Sequence, residues 1–141
     1  MADPTPVFRS EHTLRELRAG LELVQGEVER ELGVHGFDEA ARFAIRLAIE
    51  EAVVNAFRHG NRNDPAKVVF FRTAIDGARA EFEVEDQGPG FDPGAIPDPT
   101  EDDNLEIPSG RGVMLIKAYM HEVEYLPPGN RLRMAFRQQV S

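Results

Sequence analysis

The spacing of hydrophobic residues along the chain predicts two long helices in its first half. In the first segment, hydrophobic side chains recur every three or four residues, which is typical of a helix that buries one face. They are Leu14, Leu17, Leu21, Val24, Val28 and Leu32. We expect this helix to end at Gly33. A second helix is predicted between Asp38, a candidate N-cap, and Gly60.

Alternating hydrophobic and polar residues predict strands in the second half of the chain. Residues 67–75 and 78–86 are rich in β-branched and aromatic side chains and flank Asp76-Gly77, which favours a hairpin. Residues 121–127 and 130–138 favour a second hairpin. A third helix is predicted over residues 111–122, and residues 7–10 are a candidate edge strand.

The order of these elements predicts the fold class. Two helices, a hairpin, a long loop, a third helix and a second hairpin follow one another without an internal repeat or a linker. Helices grouped on one face of a mixed, largely antiparallel sheet form a two-layer α+β sandwich. A chain of 141 residues has the usual size of one domain, so we expect residues 1–141 to form a single domain.

Charge and composition exclude several classes of function. With 25 acidic and 16 basic residues the net charge is −9, and the arginines are scattered, so nucleic acid is not an expected partner. The absence of cysteine removes disulfides and thiolate chemistry. No segment has the hydrophobic run of a signal peptide or a membrane span. We therefore expect a cytoplasmic protein that does not associate with membranes.

Residues 49–61, with the sequence IEEAVVNAFRHGN, carry polar side chains that hydrophobic packing does not require. Glu51, Asn55 and His59 are four residues apart and would share one face of a helix. Such a stripe can simply face solvent. However, the alanines beside it leave room for another group, and asparagine within a helix is unfavourable. The stripe is therefore a candidate binding surface.

The first of two glycine-rich segments follows a predicted strand. EDQGPGF, residues 85–91, has Asp86 where the strand stops, followed by Gly88 and Gly90. Glycines at such a position let backbone pass close to a ligand, although an ordinary loop exit has the same composition.

The second segment, SGRGV, residues 109–113, opens the third helix. Gly110, Arg111 and Gly112 would expose backbone amides at the positive end of the helix dipole, which is a favourable place for an anion. A flexible hinge before a helix is the alternative interpretation.

Taken in order, the three segments resemble the motifs of one superfamily. Neither a P-loop nor a dinucleotide fingerprint is present. Residues 50–61 resemble the N box, residues 85–91 the first glycine box and residues 109–113 the second glycine box of the GHKL ATP-binding domains, which have the Bergerat fold. Residues 92–109 would then form the ATP lid. The chain is most similar, over about residues 38–137, to the bacterial anti-sigma-factor serine kinases of the RsbW and SpoIIAB type.

The resemblance implies a role for the polar residues of the N box. Asn55 would complete the coordination of a Mg²⁺ ion held by the phosphates of ATP, a role that suits an amide oxygen. Glu51, one turn earlier, would be the general base that accepts the proton of the attacking hydroxyl. Glu50 points about 100° away and is the alternative base. His59 and Arg111 would help to balance the charge of the phosphates.

The resemblance also implies how the nucleotide is held. Asp86 would accept a hydrogen bond from the exocyclic amine of adenine, while Gly88 and Gly90 would let the backbone pass close to the ring. Gly110 and Gly112 would donate backbone amides to the phosphates beneath the closed lid. ATP and Mg²⁺ are thus the expected cofactors.

A partner switch is the function that the resemblance implies. The chain would phosphorylate a STAS-domain anti-sigma-factor antagonist on serine or threonine, and in its other state it would sequester a sigma factor. Family members are commonly homodimers, so a homodimer is expected.

Other functions are compatible with parts of the sequence. Residues 92–109 contain six acidic residues and neither Lys nor Arg, which favours a nucleotide-responsive protein-binding module lacking kinase activity. The intact pair of Glu51 and Asn55 favours the kinase. A histidine-kinase catalytic domain would need an upstream helical hairpin bearing a phosphoacceptor, and the sequence around His12 or His35 does not suggest one. A domain without any ligand would require the three motifs to coincide by chance.

Overall fold

The computed structural model describes residues 6–89, 110–127 and 130–138, with backbone only for residues 110–114. Its elements are β1 (Phe8–Leu14), α1 (Leu17–Val34), α2 (Glu39–Asn55), a π-helical turn (Ala56–Gly60), β2 (Val69–Ile75), β3 (Arg79–Glu85), α3 (Gly110–Tyr119), β4 (Glu122–Leu126) and β5 (Arg131–Arg137). The predicted order of elements is confirmed, and the candidate edge strand is present. None of the described helices is both long enough and apolar enough to cross a membrane.

The five strands form one sheet in the order β1-β2-β3-β5-β4. Each pair of neighbouring strands in the described chain is antiparallel. The predicted two-layer α+β sandwich is therefore confirmed, but the sheet of the described residues lacks the parallel component that a mixed sheet would contain. The two hairpins are joined through β3 and β5, whereas β1 and β4 form the edges.

The sheet has one hydrophobic face, which the helices cover. Successive side chains of a strand point to opposite faces, and the inner positions of the central strands are fully buried, as at Phe71, Phe82 and Met134. Val28 of α1 and Ile49 of α2 belong to the same hydrophobic cluster. Burial of this shared face is the main force that holds the helical layer on the sheet.

The opposite face of the sheet is charged and open. Arginine and glutamate side chains pair between and along its strands: Arg72 of β2 donates to Glu83 at 2.8 Å and to Glu85 at 3.0 Å on β3, and Arg79 donates to Glu81 of the same strand at 2.7 Å. Partly exposed ion pairs of this kind contribute little stability individually. Their main effect is to make this face compatible with water.

The first helix differs from the prediction at both ends. Leu14 is the last residue of β1, where it pairs with Val69, and α1 begins only at Leu17. Leu14 reaches the same core from a strand, so its place in the helical spacing was misleading. At the other end, α1 continues past Gly33 to Val34. The chain reverses at Gly36, whose φ of 82° lies in the left-handed region that favours glycine.

The second helix has the predicted N-cap and an unpredicted ending. Asp38 Oδ1 accepts a hydrogen bond from the backbone N–H of Ala41 at 2.8 Å. The α-helix stops at Asn55 and continues as the π-helical turn, where the N–H of Asn61 donates to the carbonyl of Ala56 at 2.8 Å. A π turn holds more residues than an α-helical turn and occurs frequently at functional sites.

Two further boundaries move by a few residues. In the first hairpin, the N–H of Asp76 donates to the carbonyl of Arg79 at 3.0 Å, so the turn is Gly77-Ala78 and not Asp76-Gly77. The third helix ends at Tyr119, before the predicted residue 122. It ends early because the N–H of His121 donates to the carbonyl of Ala135 at 2.9 Å and thereby starts the pairing of β4 with β5.

Two glycines of α1 provide a matched test of helix packing. A Cβ at Gly26 would have no described neighbour within 4 Å, whereas a Cβ at Gly20 would lie 3.0 Å from Leu14 Cβ. Gly26→Ala is expected to raise the free energy of unfolding by about 0.5–1 kcal/mol, because alanine loses less backbone entropy in a helix. Gly20→Ala should give a smaller gain or a loss, because it crowds Leu14. Urea unfolding measures both, and equal stabilisation would contradict this packing.

Candidate functional site

Three segments that are distant in sequence meet at Asp86, the first residue after β3. The N–H of Asp86 donates to the carbonyl of Asn130 at 2.9 Å, and its carbonyl accepts from Asn130 Nδ2 at 3.0 Å. The N–H of the next residue, Gln87, donates to Asn61 Oδ1 at 2.7 Å. Asn130 lies in the turn between β4 and β5, and Asn61 follows the π-helical turn. The structure thus joins the end of residues 50–61 to the start of residues 85–91.

The packing around Asp86 leaves no space for side chains at Gly60 and Gly88. A Cβ at Gly60 would lie 2.1 Å from Asp86 Oδ2, and a Cβ at Gly88 would lie 1.9 Å from the carbonyl oxygen of Gly60. The N–H of Gly88 also donates to Asp86 Oδ1 at 2.8 Å. The sequence predicts that Gly88 lets backbone approach a ligand, and in the structure the backbone that Gly88 approaches closely is that of Gly60.

Asn61 connects the same corner to the start of β2. It is only 1% exposed, and its Nδ2 donates to the carbonyl of Val68 at 3.0 Å. The N–H of Val68 donates in turn to Gln87 Oε1 at 2.7 Å. The sequence analysis missed both Asn61 and Asn130. An asparagine after a helix-ending glycine or within a turn is common, so their residue types carried no distinctive signal.

The surroundings of Asp86 raise the pKa of its carboxyl group. Burial disfavours its ionised form and raises the pKa of Asp86 to about 6, with a further contribution from the negative charge of Glu85; the N–H of Gly88 and the charge of Lys67 act in the opposite direction. Burial, and then the charge of Asp86, also raises the pKa of Tyr125. Asp86 therefore changes charge near neutral pH, while the phenol of Tyr125 stays protonated there.

Glu51 and Asn55 lie one helical turn apart on α2, and both are half-buried. The Nδ2 atom of Asn55 is buried and has no hydrogen-bond partner among the described residues. An unpaired buried amide costs about 1–3 kcal/mol, and rotation of the amide by 180° would present its oxygen in the same place. A ligand that hydrogen-bonds to this amide or is coordinated by it would remove the cost.

Glu50 faces other surroundings than this pair, and His59 lies beyond the end of the α-helix. The predicted stripe assumes α-helical spacing from Glu51 to His59, but the π-helical turn begins after Asn55. His59 lies in that turn and is half-buried, and its place on one face with Glu51 and Asn55 stays a prediction. Glu50 is exposed and lines a groove between α1 and α2, together with Val54 and residues of α1. Glu50 and Glu51 thus face different surroundings.

The second glycine-rich segment opens α3, as the sequence predicts. Gly110 is the first residue of this helix, and Arg111 and Gly112 lie in its first turn. The helix packs against α2, the helix that contains Asn55. Gly90 and residues 92–109, the predicted lid, lie outside the described residues.

Comparison with known families agrees with this architecture. The family model that describes the histidine kinase-like ATPase domain matches residues 14–136 of the sequence, which is most of the chain. The protein therefore belongs to the histidine kinase-like ATPase domain family. The resemblance inferred from the three motifs is thereby confirmed.

The relatives include anti-sigma factors. The chain is 34% identical over 82 residues to the anti-sigma F factor of Anoxybacillus flavithermus and 35% identical over 82 residues to that of Geobacillus thermodenitrificans. Each match covers 56% of this chain and 56% of the relative, so the chain spans about half the length of these proteins.

A solved structure supports the same fold. The structure of the RsbU and RsbW domains of Rv1364c from Mycobacterium tuberculosis superimposes with a TM-score of 0.62 at 19% sequence identity. The match covers 96% of this chain and 33% of the other chain. Because the sequence identity is low, this likeness establishes the fold alone.

Asp86→Asn is expected to stabilise the protein at neutral pH and not at acidic pH. The pKa of Asp86 is about 6 when folded, against an ordinary value of 3.8, so the folded state holds the proton more tightly and stability falls as the pH rises from about 4 to about 6. Asparagine resembles the protonated form and avoids this loss. A shift of about two units corresponds to about 3 kcal/mol, which screening of a partly exposed carboxylate reduces to about 1–2 kcal/mol.

Urea unfolding of both proteins between pH 4 and pH 7.5 measures this effect. Asp76→Asn, in the turn at the other end of β3, controls for the loss of one negative charge. A difference between Asp86→Asn and the wild type that does not change with pH would contradict the burial of an ionisable group at this corner.

Proposed function

We propose that the protein binds ATP with Mg²⁺, phosphorylates a STAS-domain anti-sigma-factor antagonist on serine or threonine, and sequesters a sigma factor as its other partner. The observation that carries the proposal is the corner at Asp86, where a half-buried carboxylate is held against the end of residues 50–61. Sequestration of a sigma factor is suggested by the name of the relatives, which are anti-sigma F factors. The STAS-domain substrate, a homodimeric state and a cytoplasmic location belong to the same proposal.

In this proposal, Asp86 recognises the base. An ionised carboxylate accepts hydrogen bonds only, so it selects a base that presents an amino group, as adenine does. Gly60 and Gly88 support this role because the absence of side chains lets Asp86 stand close to the backbone. Gly90 would approach the base in the same way.

Asn55 fits the role of a magnesium ligand. Mg²⁺ prefers oxygen ligands and is usually held by one or two protein groups together with substrate phosphates. The amide of Asn55 has a buried polar atom without a hydrogen-bond partner among the described residues, and its oxygen can take that place. The bound ion would offset the negative charge of the phosphates in a protein whose own net charge is −9.

Glu51 would act as the general base. It lies one turn from Asn55 and would accept the proton of the attacking serine or threonine hydroxyl as the oxygen bonds to the γ-phosphorus. The bond between the γ-phosphorus and the oxygen that bridges it to the β-phosphate would break, and ADP would leave with its electrons. Gly110 and Gly112 would donate amides to the phosphates at the start of α3, and Arg111 and His59 would add positive charge.

A second function is favoured by the lid sequence. Residues 92–109 carry six acidic side chains and no basic one, which would repel a triphosphate at close range. In that alternative, the protein is a nucleotide-responsive binding module that lacks kinase activity. Asp86 and the glycines would keep their roles, and Glu51 would have none.

Calorimetric titration tests the nucleotide site. We expect saturable binding of ATP and ADP by the wild type, loss of that binding in Asp86→Asn because an amide cannot provide the acceptor charge, and loss of the Mg²⁺ dependence in Asn55→Ala. Because Asp86 must be ionised, the affinity of the wild type should also fall as the pH drops below about 6. Absence of binding by the folded wild type would overturn both proposed functions.

Phosphotransfer distinguishes the kinase from the binding module. With a purified STAS-domain antagonist as acceptor, Glu51→Gln is expected to lower the transfer rate about 100-fold or more, which is the usual size of a general-base contribution, while ATP affinity is retained. Glu50→Gln, the adjacent exposed glutamate, should leave the rate unchanged. The reverse result would make Glu50 the base. ATP binding by the wild type without any transfer would favour the binding module.

A further inference from the structure

The backbone around Asp86 is held by residues that the proposed ATP site does not include. Three consecutive polar groups, the N–H and carbonyl of Asp86 and the N–H of Gln87, bond to Asn130 or to Asn61 at 2.7–3.0 Å. These asparagines are distant in sequence, 26 residues before Gln87 and 44 residues after Asp86. The position of Asp86 is therefore set by tertiary contacts and not by the local loop sequence.

The side chain of Asp86 is constrained as firmly as its backbone. The N–H of Gly88 donates to its Oδ1 at 2.8 Å, and the α-carbon of Gly60 lies against Oδ2, where a Cβ would stand only 2.1 Å away. A carboxylate with one oxygen bonded and the other packed against backbone has little freedom to rotate. Its orientation is fixed before any ligand arrives.

We propose that Asn61 and Asn130 are positioning residues that hold the Asp86 carboxylate where it can recognise the amino group of adenine, and that they thereby set the discrimination between adenine and other purines. The inference rests on the proposed ATP site. Both residues act through Asp86: Asn61 is 1% exposed, with both ends of its amide bonded to protein backbone. A hydrogen bond weakens steeply when its angle or distance is wrong, so a preorganised acceptor discriminates better than a mobile one.

Asn61 also connects base recognition to the rest of the site. Its own N–H donates to the carbonyl of Ala56 at 2.8 Å, the residue that follows Asn55 in the chain. Asn61 thus connects the helix end beside the proposed magnesium ligand, Asn55, to the loop that carries the proposed base-recognition residue, Asp86. Loss of the Asn61 side chain should therefore affect the base end of the site more than the phosphate end, because Asn55 keeps its place on α2.

The test compares two nucleotides that differ at the recognised group. Inosine triphosphate carries an oxygen where ATP carries the amino group, and it would face the carboxylate of Asp86 with an acceptor. The ratio of the dissociation constants of ATP and inosine triphosphate is measured by calorimetry at pH 7.5 with Mg²⁺. The variants are Asn130→Ala, which removes only the bond from Nδ2 to the carbonyl of Asp86, and Asn61→Ala, which removes two bonds.

The matched control is Asp76→Ala. Asp76 Oδ1 accepts from the backbone N–H groups of Ala78 and Arg79 at 2.7 and 2.9 Å, so its loss weakens a turn at the far end of β3 without touching the site. Thermal unfolding of all variants shows how far each is destabilised. If Asn61→Ala does not fold, Asn130→Ala still provides the test.

We expect the preference for ATP to fall roughly tenfold in Asn130→Ala and at least as much in Asn61→Ala, since one hydrogen bond to a charged group is worth about that factor. The affinity for inosine triphosphate should stay within about twofold, and Asp76→Ala should keep the wild-type ratio. An unchanged ratio in Asn130→Ala, while the wild type still prefers ATP, would reduce these asparagines to a structural role. A wild type that binds neither nucleotide would overturn the proposed function itself, and one that binds both equally would remove base recognition from Asp86.

Discussion

The close approach of Gly60 to Asp86 is the contact on which the arrangement of the site depends. It brings the end of a helix against the end of a strand at a distance that leaves no room for a Cβ. Once this contact is made, the loop after β3 must pass beside the helix end, and Asn61 and Asn130 can reach its backbone. A single steric condition, the absence of a side chain at residue 60, therefore allows a whole hydrogen-bond network to form.

The same contact explains the electrostatics of the corner. Packing against backbone removes water from the carboxylate of Asp86, and this loss of hydration raises its pKa to about 6. A carboxylate that is costly to ionise in the free protein destabilises the fold at neutral pH, and such strain is typical of sites that await a ligand. The amide of Asn55, which has a buried nitrogen without a partner among the described residues, is a second local cost of the same kind. Both costs fall on residues that the sequence motifs single out, whereas arginine and glutamate pair with each other on the charged open face of the sheet.

The π-helical turn connects the polar residues of α2 to the corner at Asp86. Up to Asn55 the α-helical period keeps Glu51 and Asn55 on one side, and it turns Glu50 toward the groove beside α1. After Asn55 the wider turn brings Gly60 and Asn61 to the corner at Asp86. The turn thus lies between α2, which bears Glu51 and Asn55, and Asn61, which binds the loop after β3.

The sequence by itself determined the class of fold and indicated where the candidate site lies, because both depend on local information. Hydrophobic periodicity predicted the helices and hairpins, and three short motifs in order indicated the family that comparison then confirmed. Tertiary structure decided the rest. Leu14 fits a helical period but is buried in a strand, since pairing with Val69 outweighs local spacing. Asn61 and Asn130 bind backbone groups far away in the chain, and no local pattern marks an asparagine whose hydrogen-bond partners only the folded chain brings within reach.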